Sequence, residues 1–83
     1  MATIIFFGSL GDKVEQAEQD FQLGTSTKTA QEVFDAIGTD NPLLAEAKGN
    51  TPIKVALNQK LVSWDAVVSD GDELAFLPPV TGG

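Results

Sequence analysis

The first residues of the chain carry an unbroken apolar run that predicts a strand. Residues 3 to 7 read Thr-Ile-Ile-Phe-Phe, a β-branched and aromatic stretch that ends at Gly8. Residues 14 to 23 fit both a helical stripe and a strand of period two, so periodicity alone leaves both alternatives open. We favour a strand, because residues 7 to 13 form a short Gly-rich connection of the kind that joins a hairpin.

Three segments in the last third of the chain show the alternation of apolar and polar residues that predicts strands. They are separated by turns at residues 58–59 (Asn-Gln) and 70–72 (Asp-Gly-Asp), whose residue types favour tight reversals. The predicted strands are residues 53–57, 61–64 and 73–77. Pro78 and Pro79 end the last of them, because proline has no N–H to donate to a neighbouring strand.

The middle of the chain carries a helix signal with its own start. Thr29 and Glu32 match the capping box, in which each side chain accepts a hydrogen bond from the other residue's backbone N–H. Apolar residues then recur at helical spacing from Ala30 to Ile37, and Gly38 is predicted to supply the left-handed C-terminal cap. This segment is the main predicted helix.

A second, short helix is predicted directly after the first. Asn41 supplies an N-cap, Pro42 suits the first helical position, and Gly49 closes the helix a turn or two later. The resulting order is strand, strand, helices and then strands, without a repeat or a linker. We therefore expect a single α+β domain over residues 1–83, with one main helix packed on a mixed sheet of about four to five strands.

Three predicted strands contain two adjacent large apolar residues, and these apolar doublets cannot be buried on one face of a sheet. Neighbouring residues of a strand point to opposite faces, so a helix on one face cannot bury both members of a doublet. The exposed members would form a contiguous apolar patch, which often marks a protein interface. The alternative is a minor second core filled by loops or by Trp64. The doublets are Phe6-Phe7, Leu61-Val62 and Phe76-Leu77.

Composition excludes most chemistry for the chain itself. Its 83 residues contain no Cys, His, Tyr or Arg, so we expect no catalytic constellation, disulfide or structural metal. Asp70, Asp72 and Glu73 are assigned to a turn and the start of a strand. The net charge of −7 argues against nucleic acid or an anionic membrane as a partner. Without a signal peptide pattern or a long apolar stretch, we expect a soluble, cytoplasmic protein.

The end of the chain is then the best candidate for a reactive group. Two glycines, Gly82 and Gly83, follow the rigid Pro78-Pro79 pair, and the last of them offers a terminal carboxylate. We expect residues 80–83 to form a flexible tail. Gly-Gly by itself is a weak signal, since many termini simply fray.

The last third of the chain resembles the small subunits of molybdopterin synthases. The resemblance is carried almost continuously by residues 57–65 (LNQKLVSWD), 70–77 (DGDELAFL) and 78–83 (PPVTGG), with weaker support from residues 4–7 and the Thr29-capped helix. It implies a ubiquitin-like β-grasp fold, in agreement with the predicted order of elements. Residues 8–13 are shorter here than the corresponding family segment, which commonly contains a short helix and a basic residue.

The resemblance implies a sulfur carrier of molybdenum cofactor biosynthesis that is not an enzyme by itself. In such carriers an adenylating activator protein uses ATP on the terminal carboxylate, here that of Gly83, and a sulfur donor converts it to a thiocarboxylate. The large synthase subunit then receives the sulfur for the pterin, usually in a heterotetramer, and no cofactor is bound by the carrier. The alternatives are a ubiquitin-like modifier conjugated through Gly83, or a carrier for thiamine synthesis or tRNA thiolation.

Family resemblance also implies roles for individual residues. Phe7, Leu61 and Leu77 match the partner-binding face, which leaves Phe6, Val62 and Phe76 for the core. The residues that match the tail threaded into the partner are Pro78, Pro79, Val80, Thr81 and Gly82, ahead of Gly83.

Overall fold

The computed structural model describes residues 1–24 and 28–79 of the chain. Within them, seven strands, two α-helices and one 3-10 helix alternate along the sequence. In chain order the elements are β1 (Ala2–Phe6), the 3-10 helix (Gly8–Lys13), β2 (Glu18–Phe21), β3 (Lys28–Thr29), α1 (Ala30–Thr39), α2 (Pro42–Asn50), β4 (Lys54–Leu57), β5 (Lys60–Val62), β6 (Val67–Val68) and β7 (Glu73–Leu77).

Five of the strands form one mixed sheet, as expected. Its order is β2-β1-β7-β4-β5, and β1 and β7 lie parallel at its centre while the other neighbours are antiparallel. The choice of a strand for residues 14 to 23 is confirmed over four residues, Glu18–Phe21. The remaining two strands, β3 and β6, form a separate two-stranded pair that the sequence pattern did not indicate.

The core lies between the sheet and α1. The helix buries Val33, Phe34 and Ile37 towards the sheet, where Phe34 meets two strand residues edge-on. Its ring centroid lies 6.4 Å from that of Phe6 and 5.0 Å from that of Phe76. Such edge-to-face contacts add to the free energy gained by removing these rings from water.

Trp64 belongs to this core and not to a second one on the opposite face of the sheet. Its ring centroid lies 5.2 Å from that of Phe34 and 5.5 Å from that of Phe76. The Lys48 ammonium group lies 4.7 Å from the centroid of the Trp64 ring, which is a cation–π geometry. The alternative that Trp64 fills a minor second core is therefore wrong.

The start of α1 confirms the capping box, whereas its end corrects the predicted cap. The Glu32 N–H donates to Thr29 Oγ1 at 3.2 Å, and the Thr29 N–H donates to Glu32 Oε1 at 2.9 Å. Gly38, however, is a residue of the helix, which continues to Thr39 and has Asp40 as its C-cap with φ −95°. Gly38 is buried where α2 packs on α1, since a Cβ added to it would meet the Ala45 Cβ at 3.5 Å.

The second helix is nearly as long as the first, with nine residues against ten. Asn41 is its N-cap residue and Pro42 its first residue, as predicted. The Asn41 side chain does not cap α2 but donates from Nδ2 to the Ile37 carbonyl at 2.9 Å, so it binds the end of α1. Gly49 lies inside the helix, which ends one residue later.

The connection between β1 and β2 is the main addition to the predicted fold. Gly8–Lys13 forms a 3-10 helix that buries Leu10 in the core. The sequence predicts only a short Gly-rich hairpin connection here, since six residues with two glycines show no helical periodicity. Leu10 packs this helix against the core, and such a tertiary contact is not visible in the periodicity of the sequence.

Candidate functional site

Strand register divides the sheet into a face covered by α1 and an open face. On the open face, Ile5 lies beside Ala75, Ala75 beside Ala56, and Ala56 beside Leu61. One row of apolar side chains therefore crosses four strands on the side away from α1. Phe7 follows the end of β1 on the same side, where its N–H still pairs with the Phe76 carbonyl.

The three doublets are divided in the way that the resemblance implied. Phe7 and Leu61 keep 46% and 72% of their residue surface exposed, and Leu77 is half-buried. Their neighbours face the other way. Phe6 and Phe76 are buried in the core, and Val62 packs against it. Partner binding by Phe7, Leu61 and Leu77 stays a prediction, but the structure brings all three to one open face.

Two alanines form the floor of a groove between the larger residues of this face. Ala56 and Ala75 are buried, although they lie outside the core cluster, because the taller side chains beside them shield them from water. The groove has a volume of about 340 Å³. It is lined by Phe7, Ala56, Gln59, Leu61, Glu73, Ala75 and Leu77. An apolar, concave surface of this kind suits an inserted side chain of a partner protein.

Sequence reasoning missed Ile5, Ala56 and Ala75 as members of this face. The alternation along each strand could have indicated them, because each lies two residues from a position that faces outward. Ile5 is two residues from Phe7, Ala56 from Lys54, and Ala75 from Leu77. Their small or ordinary apolar side chains gave no reason to single them out. The register between strands, which joins them into one row, is not visible in the sequence.

A polar network lies next in sequence to Gln59 and Glu73, two of the residues that line the groove. Asn58 donates from Nδ2 to Asp72 Oδ1 at 3.0 Å, and the Ser69 N–H donates to Asp72 Oδ2 at 2.8 Å. These two hydrogen bonds hold the pKa of Asp72 below its usual range, and the one from Asn58 has the larger effect. Asn58 also accepts from the Glu73 N–H at 2.9 Å, so one side chain ties the two turns together.

Neither a metal centre nor a membrane span emerges from the described part of the chain. Residues 1–24 and 28–79 contain no group of three or more His, Cys, Asp or Glu side chains placed to hold a metal ion. The acidic residues at 70–73 instead hold turns, as Asp72 does, or pair with the chain's amino terminus, as Asp70 does at 2.9 Å. Among the described residues, no helix is both long and apolar enough to cross a membrane.

The root of the C-terminal segment lies beside the 3-10 helix. Pro78 and Pro79 leave the end of β7 and line a second groove, of about 430 Å³, together with Ser9, Leu10, Lys13, Ala47 and Thr51. The structure therefore brings the first two predicted tail residues to the same end of the sheet as Phe7 and Leu77. The remaining tail residues, Val80, Thr81, Gly82 and Gly83, lie outside the described residues.

Curated relatives match the chain over its full length. The chain is 36% identical to the molybdopterin synthase sulfur carrier subunit of Escherichia coli over 83 residues, with all of both chains covered. It is 34% identical to the protein of the same name from Haemophilus influenzae, again with both chains fully covered.

Solved structures show the same fold. A putative molybdopterin converting factor subunit 1 from Pyrococcus furiosus superposes with a TM-score of 0.79 at 20% identity, covering 95% of this chain and 97% of that one. Small archaeal modifier protein 1 of Methanosarcina acetivorans gives 0.79 at 20% identity, covering 99% and 95%. Subunit 1 in a complex of molybdopterin-converting factor subunits 1 and 2 from Helicobacter pylori gives 0.66 at 26% identity, covering 99% and 97%.

The expected β-grasp fold is thus confirmed by ubiquitin-like neighbours that cover nearly the whole chain. The ThiS family model matches residues 4–83, which include every strand and helix described except the first two residues of β1. Together with its curated homologues, this match shows that the chain is a member of the ThiS family.

Proposed function

We propose that this protein is the sulfur carrier subunit of a molybdopterin synthase. The observation that carries the proposal is the open apolar face, which lies at the end of the sheet from which the C-terminal segment departs. A carrier needs both features, because one must bind the receiving protein while the other reaches its active site. Two curated relatives at 36% and 34% identity bear this name, which supports the same role here.

The chemistry is assigned to the terminal carboxylate of Gly83. A carboxylate is a poor electrophile at neutral pH, so its oxygen first displaces pyrophosphate from ATP to give an acyl adenylate. A donor sulfur at the oxidation level of sulfide then attacks the Gly83 carbonyl and expels AMP, leaving a thiocarboxylate. The alignment with the Escherichia coli carrier covers both chains to their ends, which supports Gly83 as the residue that is charged.

An adenylating activator protein and a separate sulfur donor supply what the chain lacks. In this proposal the Gly83 carboxylate is the nucleophile of the first step, and ATP is bound by the activating partner rather than by this chain. Gly82 and Gly83 have no Cβ, which lets them enter a narrow active site. Pro78 and Pro79 restrict the root of the segment and so lower the entropy lost on capture.

The receiving partner in this proposal is the large, catalytic subunit of the synthase. The Helicobacter pylori relative forms a complex of subunits 1 and 2, which supports an interface of the same kind. Phe7, Leu61 and Leu77 are the residues that would enter it, with Ala56 and Ala75 forming the floor between them. A heterotetramer of two small and two large subunits is the expected assembly.

Intact mass spectrometry tests the proposal. The full chain is incubated with an adenylating activator, ATP and a sulfur donor, and its mass should rise by the difference between one sulfur and one oxygen atom. A chain that lacks residues 82–83 is the control and should not change. Failure of charging with each candidate activator would contradict the proposal. Higher-mass conjugates in cells that depend on Gly83 would instead identify a protein modifier.

A further inference from the structure

The strands β1 and β7 run parallel, and their hydrogen bonding ends where Phe7 meets the end of β7. The Phe7 N–H donates to the Phe76 carbonyl at 3.0 Å, in the alternating pattern of a parallel pair. The next bond of that pattern would need an N–H at residue 78 to donate to the Phe7 carbonyl, and Pro78 has none. The Phe7 carbonyl instead accepts from the Leu10 N–H at 3.1 Å, at the start of the 3-10 helix.

Gly8 is the residue at which the chain leaving β1 passes Pro78. Its φ of +56° lies in the left-handed region, which glycine adopts at little cost and other residues rarely adopt. A Cβ added to Gly8 would lie 3.0 Å from the Pro78 Cγ and 3.7 Å from its Cδ. The first distance is shorter than ordinary carbon–carbon contact, so the proline ring lies directly against the Gly8 backbone.

We infer that Gly8 and Pro78 form a fixed joint, in which Gly8 is a positioning residue that sets the direction of the C-terminal segment. Pro78 ends the pairing of β7, and Gly8 provides the space for its ring. The 3-10 helix that follows Gly8 holds the joint to the core through buried Leu10. This inference rests on the proposed function, since the direction matters only when the segment delivers Gly83 to another protein.

The sequence supplies a matched control for substituting Gly8. Gly71 also has a left-handed backbone, with φ +86°, but a Cβ added there would meet nothing within 4 Å. Gly8→Ala and Gly71→Ala therefore impose the same kind of backbone strain, and only Gly8→Ala pushes on Pro78. Thermal unfolding of Gly71→Ala gives the loss of Tm that the backbone strain alone causes, and Gly8→Ala should lose at least as much because of its added contact with Pro78. Both variants are assayed below their own Tm, so that unfolding does not contribute to the functional comparison.

The test measures the kcat and KM of charging by the activator for both variants. The added Cβ forces the Pro78 ring or the backbone beside it to move by a few tenths of an ångström. A misplacement of about 1 Å can lower the rate of a positioned reaction by about 100-fold, so this smaller shift should have a smaller effect. We expect Gly8→Ala to lower kcat about tenfold with little change in KM, and Gly71→Ala to change both by less than about twofold. Equal losses of kcat for the two variants would overturn the inference. The proposed function would still be supported in that case, provided that the wild-type chain is charged.

A double substitution separates positioning from general damage. Pro78→Ala removes the ring atoms that a Cβ at residue 8 would contact. In a chain that carries Pro78→Ala, Gly8→Ala should therefore lower kcat by no more than Gly71→Ala does. If the double variant loses kcat by the product of the two single losses, the two residues act independently and the joint is contradicted. If Gly8→Ala does not fold, Pro78→Ala alone should lower kcat while residue 8 is unchanged, and unchanged kcat would overturn the inference. Absence of wild-type charging would instead remove the proposed function.

The contact itself has a readout that does not depend on charging. Nuclear magnetic resonance of the wild-type chain should show a nuclear Overhauser effect between the Gly8 α-protons and the Pro78 γ-protons. One α-proton points where an added Cβ would lie 3.0 Å from the Pro78 Cγ, so these protons should be close in space. Absence of this signal in the folded chain would remove the premise of the joint.

Discussion

Asn58 shows how a single side chain holds the edge of the proposed docking face. Its backbone has φ +51°, and Gln59 follows with φ +71°, so both central residues of this hairpin turn are left-handed without being glycine. Asn is among the side chains that tolerate this conformation best. Its amide also binds Asp72 and the Glu73 N–H, which fixes the turn against the start of β7.

The Asn58–Asp72 contact leads to a pH-dependent prediction. The pKa of Asp72 is lowered in the folded protein, so its stabilising effect is full above the unfolded value near 3.8 and is lost as pH falls through the folded value. Asp72→Ala should lower the free energy of unfolding by about 1 kcal/mol at pH 7, because two partly solvated hydrogen bonds are removed. Urea unfolding at pH 7, 5 and 3 measures this difference.

Asp12→Ala is the control for that experiment, since Asp12 is an exposed carboxylate on the 3-10 helix. Its effect on the free energy of unfolding should be small at each pH. A loss for Asp72→Ala that stays constant from pH 7 to pH 3 would show that its carboxylate charge contributes nothing.

At the scale of elements, local signals predicted the parts of the fold that local interactions determine. The capping box of Thr29 and Glu32 fixes the start of α1 through residues three positions apart, and the Asp-Gly-Asp turn fixes the start of β7. The prediction that Gly38 caps α1 was wrong, because the sequence around a glycine near a helix end is the same whether the glycine ends the helix or lies inside it. Here Gly38 lies inside α1, where it packs against α2.

The position of Gly38 inside α1 predicts that a larger residue is accepted there. A Cβ would make ordinary contact with Ala45 at 3.5 Å, and alanine favours a helix interior over glycine. Gly38→Ala should therefore raise the free energy of unfolding by about 0.5 to 1 kcal/mol, measured by urea unfolding. Gly49→Ala in α2, where a Cβ meets nothing within 4 Å, gives the helix-propensity effect without a contact.

The opposite result for Gly38→Ala would be informative. A left-handed cap at residue 38 would make the alanine variant less stable than wild type, while Gly49→Ala still gained stability. That pair of outcomes would contradict the observed helix boundary at Thr39.

At the scale of the whole molecule, a strongly acidic chain presents an apolar groove on one face. The chain carries a net charge of −7, and the exposed Phe7 and Leu61 are the large apolar side chains that the open face offers to a partner. Sequence parity predicted that one member of each doublet faces outward but left open which one. The strand register, which depends on long-range pairing, resolves it in the structure.

Leu61 provides the sharpest test of the docking face. Leu61→Asp should weaken binding to the large synthase subunit by about 30-fold or more, because a charge would be placed in an apolar contact. Isothermal titration calorimetry measures the Kd. Leu43→Asp is the matched control, since Leu43 is 61% exposed on α2 and Leu61 is 72% exposed on the sheet. Equal losses for both variants would contradict a specific docking face.

The central claim, that sulfur is carried on the carboxylate of Gly83, has one most direct measurement. Lys60 is the last lysine of the sequence and the chain has no Arg, so tryptic cleavage yields a C-terminal peptide of residues 61–83. Tandem mass spectrometry of the charged protein should place the exchange of oxygen for sulfur on fragments that contain Gly83. An unmodified Gly83 in the charged protein, or a mass gain elsewhere in that peptide, would contradict the account.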